Sequence, residues 1–165
     1  MNLSRTLKHL FYPGWWLRRD FPANELNRIE AAINSSESKH SGEIRFAIES
    51  SLPFNALWND ESSLDRSIEV FSLLRVWDTE DNSGVLIYLL LADKKVEITA
   101  DRNINKVVDS KEWLRICKLM EADFSAGKFG DGSVKGINEI SLLLEEHFPV
   151  GSTNMDELSN KPVIL

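Results

Sequence analysis

The spacing of apolar side chains changes several times along the chain, and each change predicts a different element. Glu43–Glu49 alternates apolar and polar residues, which predicts a half-buried strand of the kind found at a sheet edge. Val85–Leu91 is a continuous apolar run, typical of a strand buried on both faces. Val96–Ala100 alternates again directly after Asp93–Lys94, so we expect a tight hairpin between these two strands.

Helical spacing recurs in four other segments. The predicted helices are residues 24–38 with Asn24 as N-cap, a helix capped by Ser62 or Ser63, a helix capped by Asp109 or Ser110, and a helix from Val134 to just before Pro149. Pro53–Asp60 is predicted as a loop, and Ala126–Gly132 as a glycine-rich turn that needs positive φ.

This order of elements predicts an α/β fold, a three-layer α/β/α sandwich around a small mixed sheet with a central antiparallel hairpin. The first strand reaches the second through a helix, so we expect these two strands to be parallel. The predicted organisation is a basic aromatic arm at residues 1–22, one α/β domain at 23–149, and a flexible tail at 150–165.

Charge is distributed unevenly along the 165 residues. The net charge is −7, but residues 1–20 carry four basic residues against one acidic residue, which leaves −10 on the remainder. An acidic body disfavours nucleic-acid binding, which depends on neutralising phosphates. The single cysteine, Cys117, falls on the apolar stripe of the third helix and fits a reducing compartment. Without a membrane-spanning segment or secretory signal pattern, we expect a soluble, cytoplasmic protein.

The arm at residues 1–22 is compatible with three different binding surfaces. Trp15 and Trp16 stand beside Arg18 and Arg19, a composition that suits an anionic membrane surface. The same residues are also compatible with packing on the chain's own domain or on a partner protein. Pro13–Gly14 predicts a break, so one long amphipathic helix is not expected.

The hairpin predicts one polar cluster. If Leu91 lies opposite Val96, then Leu86 lies opposite Asp101, and the loop Asp78–Ser83 meets the pair Asp101–Arg102 at one sheet edge. The oxygen donors form a candidate Ca²⁺ or Mg²⁺ site made of Asp78, Asp81, Asn82 and Asp101.

The candidate catalytic residues of this cluster are Asp81, Asp101 and Arg102, with Arg102 placed to bind a phosphate or neutralise a carboxylate. The alternative is that the acidic residues only cap turns and that Asp101 with Arg102 is a surface ion pair. The cluster also lies at the amino end of the second strand, whereas α/β sheets usually bind ligands at the carboxyl ends.

Three segments together resemble a known family. They are HSGEIRFAIE at residues 40–49, VWDTEDNSGVLIYLLLADKKVEI at 76–98 and FSAGKFGDGSVKGINEISLLLEEHFP at 124–149. The chain resembles the TPM-domain family, which includes a thylakoid lumen phosphatase and a photosystem II repair protein. The resemblance runs from about Phe21 to Pro149, and its most specific parts are D-N-x-G-V-L-I at Asp81–Ile87 and the segment Phe124–Gly136.

The resemblance implies an α/β/α sandwich, and for some members an acid phosphatase activity or a divalent-cation site. Only Asp81, Asn82 and Gly84 match the family's central motif by residue type. Many members carry a signal peptide and a membrane helix, so this chain is similar to a shorter, soluble branch without either.

Three functional hypotheses follow. The first is a non-enzymatic binding or regulatory module that acts at a membrane periphery or on a protein partner through residues 1–22. The second is a phosphatase-like hydrolase that depends on a divalent cation. The third is a structural calcium-binding domain without catalysis.

Overall fold

The computed structural model describes residues 2–150 and 157–165. The helices are α1 (Leu3–Leu10), α2 (Trp15–Asp20), α3 (Ala23–Glu37), α4 (Phe54–Trp58), α5 (Ser63–Leu73), α6 (Arg102–Asn105), α7 (Ser110–Ser125) and α8 (Phe129–His147). The strands are β1 (Glu43–Glu49), β2 (Gly84–Leu90), β3 (Lys95–Ala100) and β4 (Val163–Ile164).

Within the described residues these strands form one mixed sheet in the order β3-β2-β1-β4. β1 is parallel to both β2 and β4, and β2 is antiparallel to β3. The crossover from β1 to β2 contains α4 and α5. The predicted α/β fold and its antiparallel hairpin are therefore confirmed.

Alternation along the strands divides the core between the two faces of the sheet. One face packs against α3, α7 and α8 through side chains that include Ile44, Phe46, Ile87 and Leu89. The other face packs against α4 and α5 through Ala47, Leu86, Tyr88 and Leu90. Because β2 contributes to both cores, all seven of its residues are buried, which explains the unbroken apolar run.

The C-terminal segment corrects two predictions. Residues 157–165 are not a flexible tail, because β4 pairs with Ala47 and Ile48 of β1. Arg45 reinforces this pairing by donating hydrogen bonds to the carbonyls of Ser159 and Lys161. β1 is consequently an interior strand and not an edge strand. The remainder of the predicted tail, residues 151–156, lies outside the described residues.

The hairpin register also differs from the predicted one. Leu86 lies opposite Thr99, and Leu90 lies opposite Lys95, so Asp101 does not face Leu86. A shift by two residues keeps every side chain on the same face, which is why the apolar pattern could not detect it. The turn Leu91–Lys94, closed by the Lys94 N–H on the Leu91 carbonyl at 3.0 Å, sets the pairing.

Helix boundaries agree with the predictions except at three points. The N-cap of α3 is Pro22, so Asn24 lies inside the helix. The predicted loop Pro53–Asp60 contains the short helix α4. Of the predicted glycine-rich turn, only Gly127 has positive φ, at 76°. Gly130 and Gly132 lie inside α8, where Gly132 approaches Phe124 too closely for a side chain.

The N-terminal arm packs on its own domain. It breaks into α1 and α2 around Pro13–Gly14, as predicted. Leu17 and Phe21 enter the core beside α3 and α8. Within the described ranges, every helix falls short of the length and apolar content that a membrane crossing requires.

Candidate functional site

The two halves of the predicted polar cluster do meet. The Asn103 side-chain amide donates a hydrogen bond to the Asp81 carbonyl at 2.6 Å, and Arg102 Nη2 donates one to Asn82 Oδ1 at 3.1 Å. The backbone N–H of Asp101 bonds the Gly84 carbonyl at 2.8 Å. These contacts bring Asp81, Asn82, Asp101 and Arg102 to the amino end of β2.

Asp101 is the one buried carboxylate of this cluster, at 6% exposure. Its Oδ1 caps α6 by accepting the Arg102 N–H at 2.6 Å. Its Oδ2 is buried and has no hydrogen-bond partner among the described residues. An unpartnered buried carboxylate oxygen is costly, so this atom is where an added cation or donor would bind most favourably.

Two of the other predicted ligands, Asp78 and Asn82, are bonded to arginine side chains. Asp78 is exposed and pairs with Arg75 at 2.5 Å. The guanidinium of Arg102 already lies on Asn82, and its Nε is 3.9 Å from Asp101 Oδ1. Among residues 2–150 and 157–165, no group of three His, Cys, Asp or Glu side chains is arranged to hold a metal ion. The fit of a cation therefore rests on Asp101.

Cys117 and His40, two side chains with reactive groups, are both buried. Cys117 is buried, and burial together with Glu97 and Glu121 raises its pKa to about 12. A thiol with that pKa is a poor nucleophile at neutral pH, which agrees with the predicted core position. His40 is buried with Nδ1 2.9 Å from the Gly42 carbonyl, and burial lowers its pKa.

An anchoring cluster at the arm was not predicted. Asp93 accepts hydrogen bonds from Arg5 on Oδ2 and lies 2.9 Å from His9 Nε2 through Oδ1. The other ring nitrogen, His9 Nδ1, accepts the Leu52 N–H at 3.0 Å. The sequence pattern predicts only a turn at Asp93. The one indication in the sequence is the basic character of the arm, which favours an ion pair with an acidic residue of the domain.

A second unpredicted cluster lies under α5 at the carboxyl end of β1. Glu49 accepts two hydrogen bonds from Arg66, both at 2.9 Å, and a third from the Tyr88 hydroxyl at 2.6 Å. Burial and the Glu49 carboxylate raise the pKa of Tyr88, so the phenol remains a donor. The sequence signal was the tyrosine inside an otherwise aliphatic strand, since a buried hydroxyl requires a partner.

The anchoring cluster gives α1 an unusual orientation. Its polar residues Thr6 and His9 are buried, whereas Leu3, Leu7 and Leu10 are 65%, 46% and 67% exposed. These leucines lie on one helical face. Phe11 and Trp15 continue the exposed apolar side chains after the helix.

The helix α4 adds further apolar residues next to α1. Phe54 and Trp58 are both exposed, with ring centroids 6.0 Å apart. Bonds from Arg5 to the Glu61 carbonyl and from Leu52 to His9 hold α1 against both ends of the segment that carries α4. We call Leu3, Leu7, Leu10, Phe11, Phe54 and Trp58 the apolar surface.

Comparisons with known proteins identify relatives by structure. The chain is similar to the BA42 protein from the psychrophilic bacterium Bizionia argentinensis, with 32% identity, a TM-score of 0.75, and coverage of 87% of this chain and 94% of that one. It also shares its fold with the N-terminal domain of a protein from P. gingivalis, at 19% identity, a TM-score of 0.56 and 76% coverage of each chain. No curated protein matches the chain.

The family assignment rests on the sequence match together with the relative from Bizionia argentinensis. The model of the TPM domain matches residues 21–142, which include β1, the β2–β3 hairpin and most of α8. The resemblance inferred from the D-N-x-G-V-L-I segment is confirmed, and this chain belongs to the TPM domain family.

Proposed function

We propose that this TPM domain is a non-enzymatic binding module that docks on an anionic membrane surface. The observation that carries the proposal is the inverted packing of α1, whose leucines face outward while Thr6 and His9 are buried. An exposed apolar patch rimmed by polar residues is typical of an interaction surface.

The charge around the apolar surface favours an anionic membrane as the occupant. Lys8, Arg18 and Arg19 are exposed on the same arm, while the remainder of the chain is acidic. The Arg19 guanidinium lies 5.1 Å from the centre of the Trp16 ring, which keeps this cation beside an aromatic residue suited to a membrane interface. Each basic residue near an anionic lipid surface contributes about 1 kcal/mol.

Point substitutions are the appropriate test, because deleting the arm would also remove Leu17 and Phe21 from the core. The double variant Leu7→Gln with Leu10→Gln should lose binding to phosphatidylglycerol vesicles in a co-sedimentation assay. Each inserted leucine contributes about 1.5–3 kcal/mol, so partitioning should fall at least about tenfold per residue. Melting temperature should not change, since both positions are exposed.

Leu142→Gln is the matched control, because Leu142 is 61% exposed on a different helix, α8. It should bind vesicles as the unmodified chain does. Phosphatidylcholine vesicles should bind weakly, and added salt should weaken binding to the anionic vesicles. Undiminished binding by the double variant would disprove membrane docking, and loss of a dimer in that variant would assign the surface to a second copy.

The buried Oδ2 of Asp101 favours a second candidate function, binding of a divalent cation at the amino end of β2. Asp101 would be the charged ligand, with Asn82 and the Asp81 carbonyl close by. Such an ion would supply Lewis-acid chemistry if the domain also hydrolyses phosphate esters. Hydrolysis of an aryl phosphate that Asp81→Ala or Asp101→Ala abolishes would support the phosphatase hypothesis, and turnover that survives both would reject it.

A further inference from the structure

A cavity of about 530 Å³ lies between the arm and the carboxyl end of β2. Aromatic and aliphatic side chains line it, chiefly Tyr12, Trp16, Leu91, Phe124 and Phe129. Its volume is within the roughly 300–1,000 Å³ of ordinary small-ligand sites. In α/β sheets, ligands usually bind at the carboxyl ends of the parallel strands. The cavity lies at that end of β2, whereas the polar cluster at Asp101 lies at the amino end.

The mouth of the cavity is predominantly basic. Lys8, Arg19, Lys94 and Lys95 line it together with the acidic residues Asp20 and Glu121. Both acids are already paired, Asp20 with Arg19 at 2.7 Å and Glu121 with Lys95 at 3.3 Å. Lys8 Nζ lies 3.8 Å from Asp93 Oδ1, on a carboxylate that is already bonded to Arg5, and Lys94 has no ion pair among the described residues, so the mouth keeps an excess of positive charge.

Lys94 has an unusual backbone conformation. Its φ is 55°, in the left-handed region that favours glycine or asparagine. Lys94 lines the cavity, so its side chain adds a positive charge at the mouth.

One donor within the lining also lacks a partner. The indole Nε1 of Trp16 is buried and makes no hydrogen bond with the described residues. Because this atom is not accessible from the cavity, the apolar walls and the basic mouth define the chemistry of the ligand.

We infer that this cavity binds a single-chain amphiphile with an anionic head group. The alkyl chain occupies the aromatic walls, and the head group lies between Lys8 and Lys94. This site shares Lys8, Phe11 and Arg19 with the proposed membrane-docking surface, but the leucines of α1 do not line it, so the two proposals can be tested separately. The ligand can be a free fatty acid or a lysophospholipid, since both combine one chain with an anion.

Binding of monomeric ligand tests the site. Titration of the full chain with laurate, lysophosphatidate and dodecanol is followed by tryptophan fluorescence and calorimetry, below the concentration at which each forms micelles. Saturable binding of laurate or lysophosphatidate at one site, with dodecanol at least about tenfold weaker, would support the inference and identify the source of the anion. Equal binding of dodecanol, or no binding of either anion, would overturn it.

Lys94→Gly tests the basic mouth without endangering the fold, because glycine accepts the left-handed conformation. Affinity should fall about fivefold to tenfold while melting temperature is kept or raised. Arg75→Gly is the matched control, since Arg75 is a cation with φ of 54° outside the cavity. An unchanged affinity in Lys94→Gly would remove the proposed role of the mouth.

Ser125→Trp tests the location. Ser125 is exposed and lines the cavity, so a tryptophan there should block the ligand and reduce affinity at least about tenfold. Ala122→Trp, on the same helix and also exposed but outside the lining, should bind normally. Equal affinities for these two variants would place the ligand elsewhere. Vesicle binding by the Leu7→Gln and Leu10→Gln double variant tests only the membrane docking, and ligand titration tests only the cavity. Failure of one proposal can therefore be distinguished from failure of the other.

Discussion

Arg5 donates two hydrogen bonds to one carboxylate oxygen of Asp93, from Nε at 2.9 Å and from Nη2 at 2.8 Å, across 88 positions of sequence. This pair joins α1 to the turn between β2 and β3. Both side chains are largely buried, with exposures of 19% and 14%. The arm is therefore held by a charged cluster as well as by the apolar contacts of Leu17 and Phe21.

Asp93→Ala should lower the free energy of unfolding by about 2–4 kcal/mol, because it leaves the largely buried Arg5 with only the exposed Asp60, at 3.9 Å, as a charged partner. Urea denaturation measures the loss, and hydrogen exchange should show that α1 opens first. Asp78→Ala, which removes an exposed ion pair with Arg75, should cost no more than about 1 kcal/mol. Equal losses in the two variants would mean that the cluster does not anchor the arm.

The same carboxylate makes stability depend on pH. Burial acts to raise the pKa of Asp93, but hydrogen bonds from Arg5 and His9 lower it below its ordinary value overall. A depressed carboxyl pKa gives stability that is present above about pH 4 and is lost as pH falls through the folded value. The Asp93→Ala variant should lack this part of the acid-induced loss.

Gly84→Ala should destabilise the fold by about 3 kcal/mol or more. A Cβ at Gly84 would overlap the Val76 carbonyl oxygen and lie 2.9 Å from Val76 Cγ1, and Val76 is fully buried. The backbone at the start of β2 cannot move without breaking the sheet. Gly14→Ala is the control, because a Cβ there meets no atom within 4 Å, and its effect should be within about 0.5 kcal/mol. Thermal or urea denaturation measures the unfolding free energy of both variants, and equal values would contradict the prediction.

Stability should fall as pH decreases from about 7.5 to 5.5, because burial lowers the pKa of His40. In this window the unfolded chain takes up a proton at position 40 more readily than the folded chain does, so protonation favours unfolding. His40→Asn should reduce the slope of unfolding free energy against pH. His147→Asn, at the end of α8, should retain the part of the slope due to His40. A slope that His40→Asn leaves intact would assign it to another group.

Calcium should raise the melting temperature of the unmodified chain and not that of Asp101→Asn. A ligand at 100 times its dissociation constant adds about 2.7 kcal/mol, equivalent to about 5–10 °C in a domain of this size. Asparagine is still able to cap α6, so the variant should fold. Asp109→Asn, an exposed cap on α7, is the matched control. The same shift in all three proteins, or no shift with calcium, magnesium or manganese, would reject a cation site at Asp101.

Local pattern was sufficient where one segment determines its own structure. The capping box of Ser62 and Asp65 is observed as the sequence predicted a cap there, and Asp109 caps α7. β4 could not be predicted, because two residues show no periodicity and its partners lie more than 110 positions away. The helix α4 was predicted as a loop, because its five residues are too few to show a helical periodicity.

The polar cluster shows the limit of topology as a guide to sites. The predicted hairpin correctly places Asn82 beside Arg102, because a hairpin returns the chain to the same edge of the sheet. It assigned four ligands to a cation, yet Asp78 pairs with Arg75. Side-chain pairing depends on rotamers and on neighbouring cations, neither of which a residue pattern contains.

The sequence by itself determined the fold class, the parallel β1–β2 pair, the antiparallel β2–β3 pair and the family, because hydrophobic periodicity, the order of elements and the D-N-x-G-V-L-I segment can all be read along the chain. Tertiary structure alone decided that α1 turns its leucines outward and that a cavity lies beneath the arm. The physical reason is the cluster of Arg5, His9 and Asp93: once polar side chains are bonded inside, the opposite apolar face must point to the surroundings. The residue pattern of the arm does not predict that the polar face of α1 would pack against Asp93 of the domain.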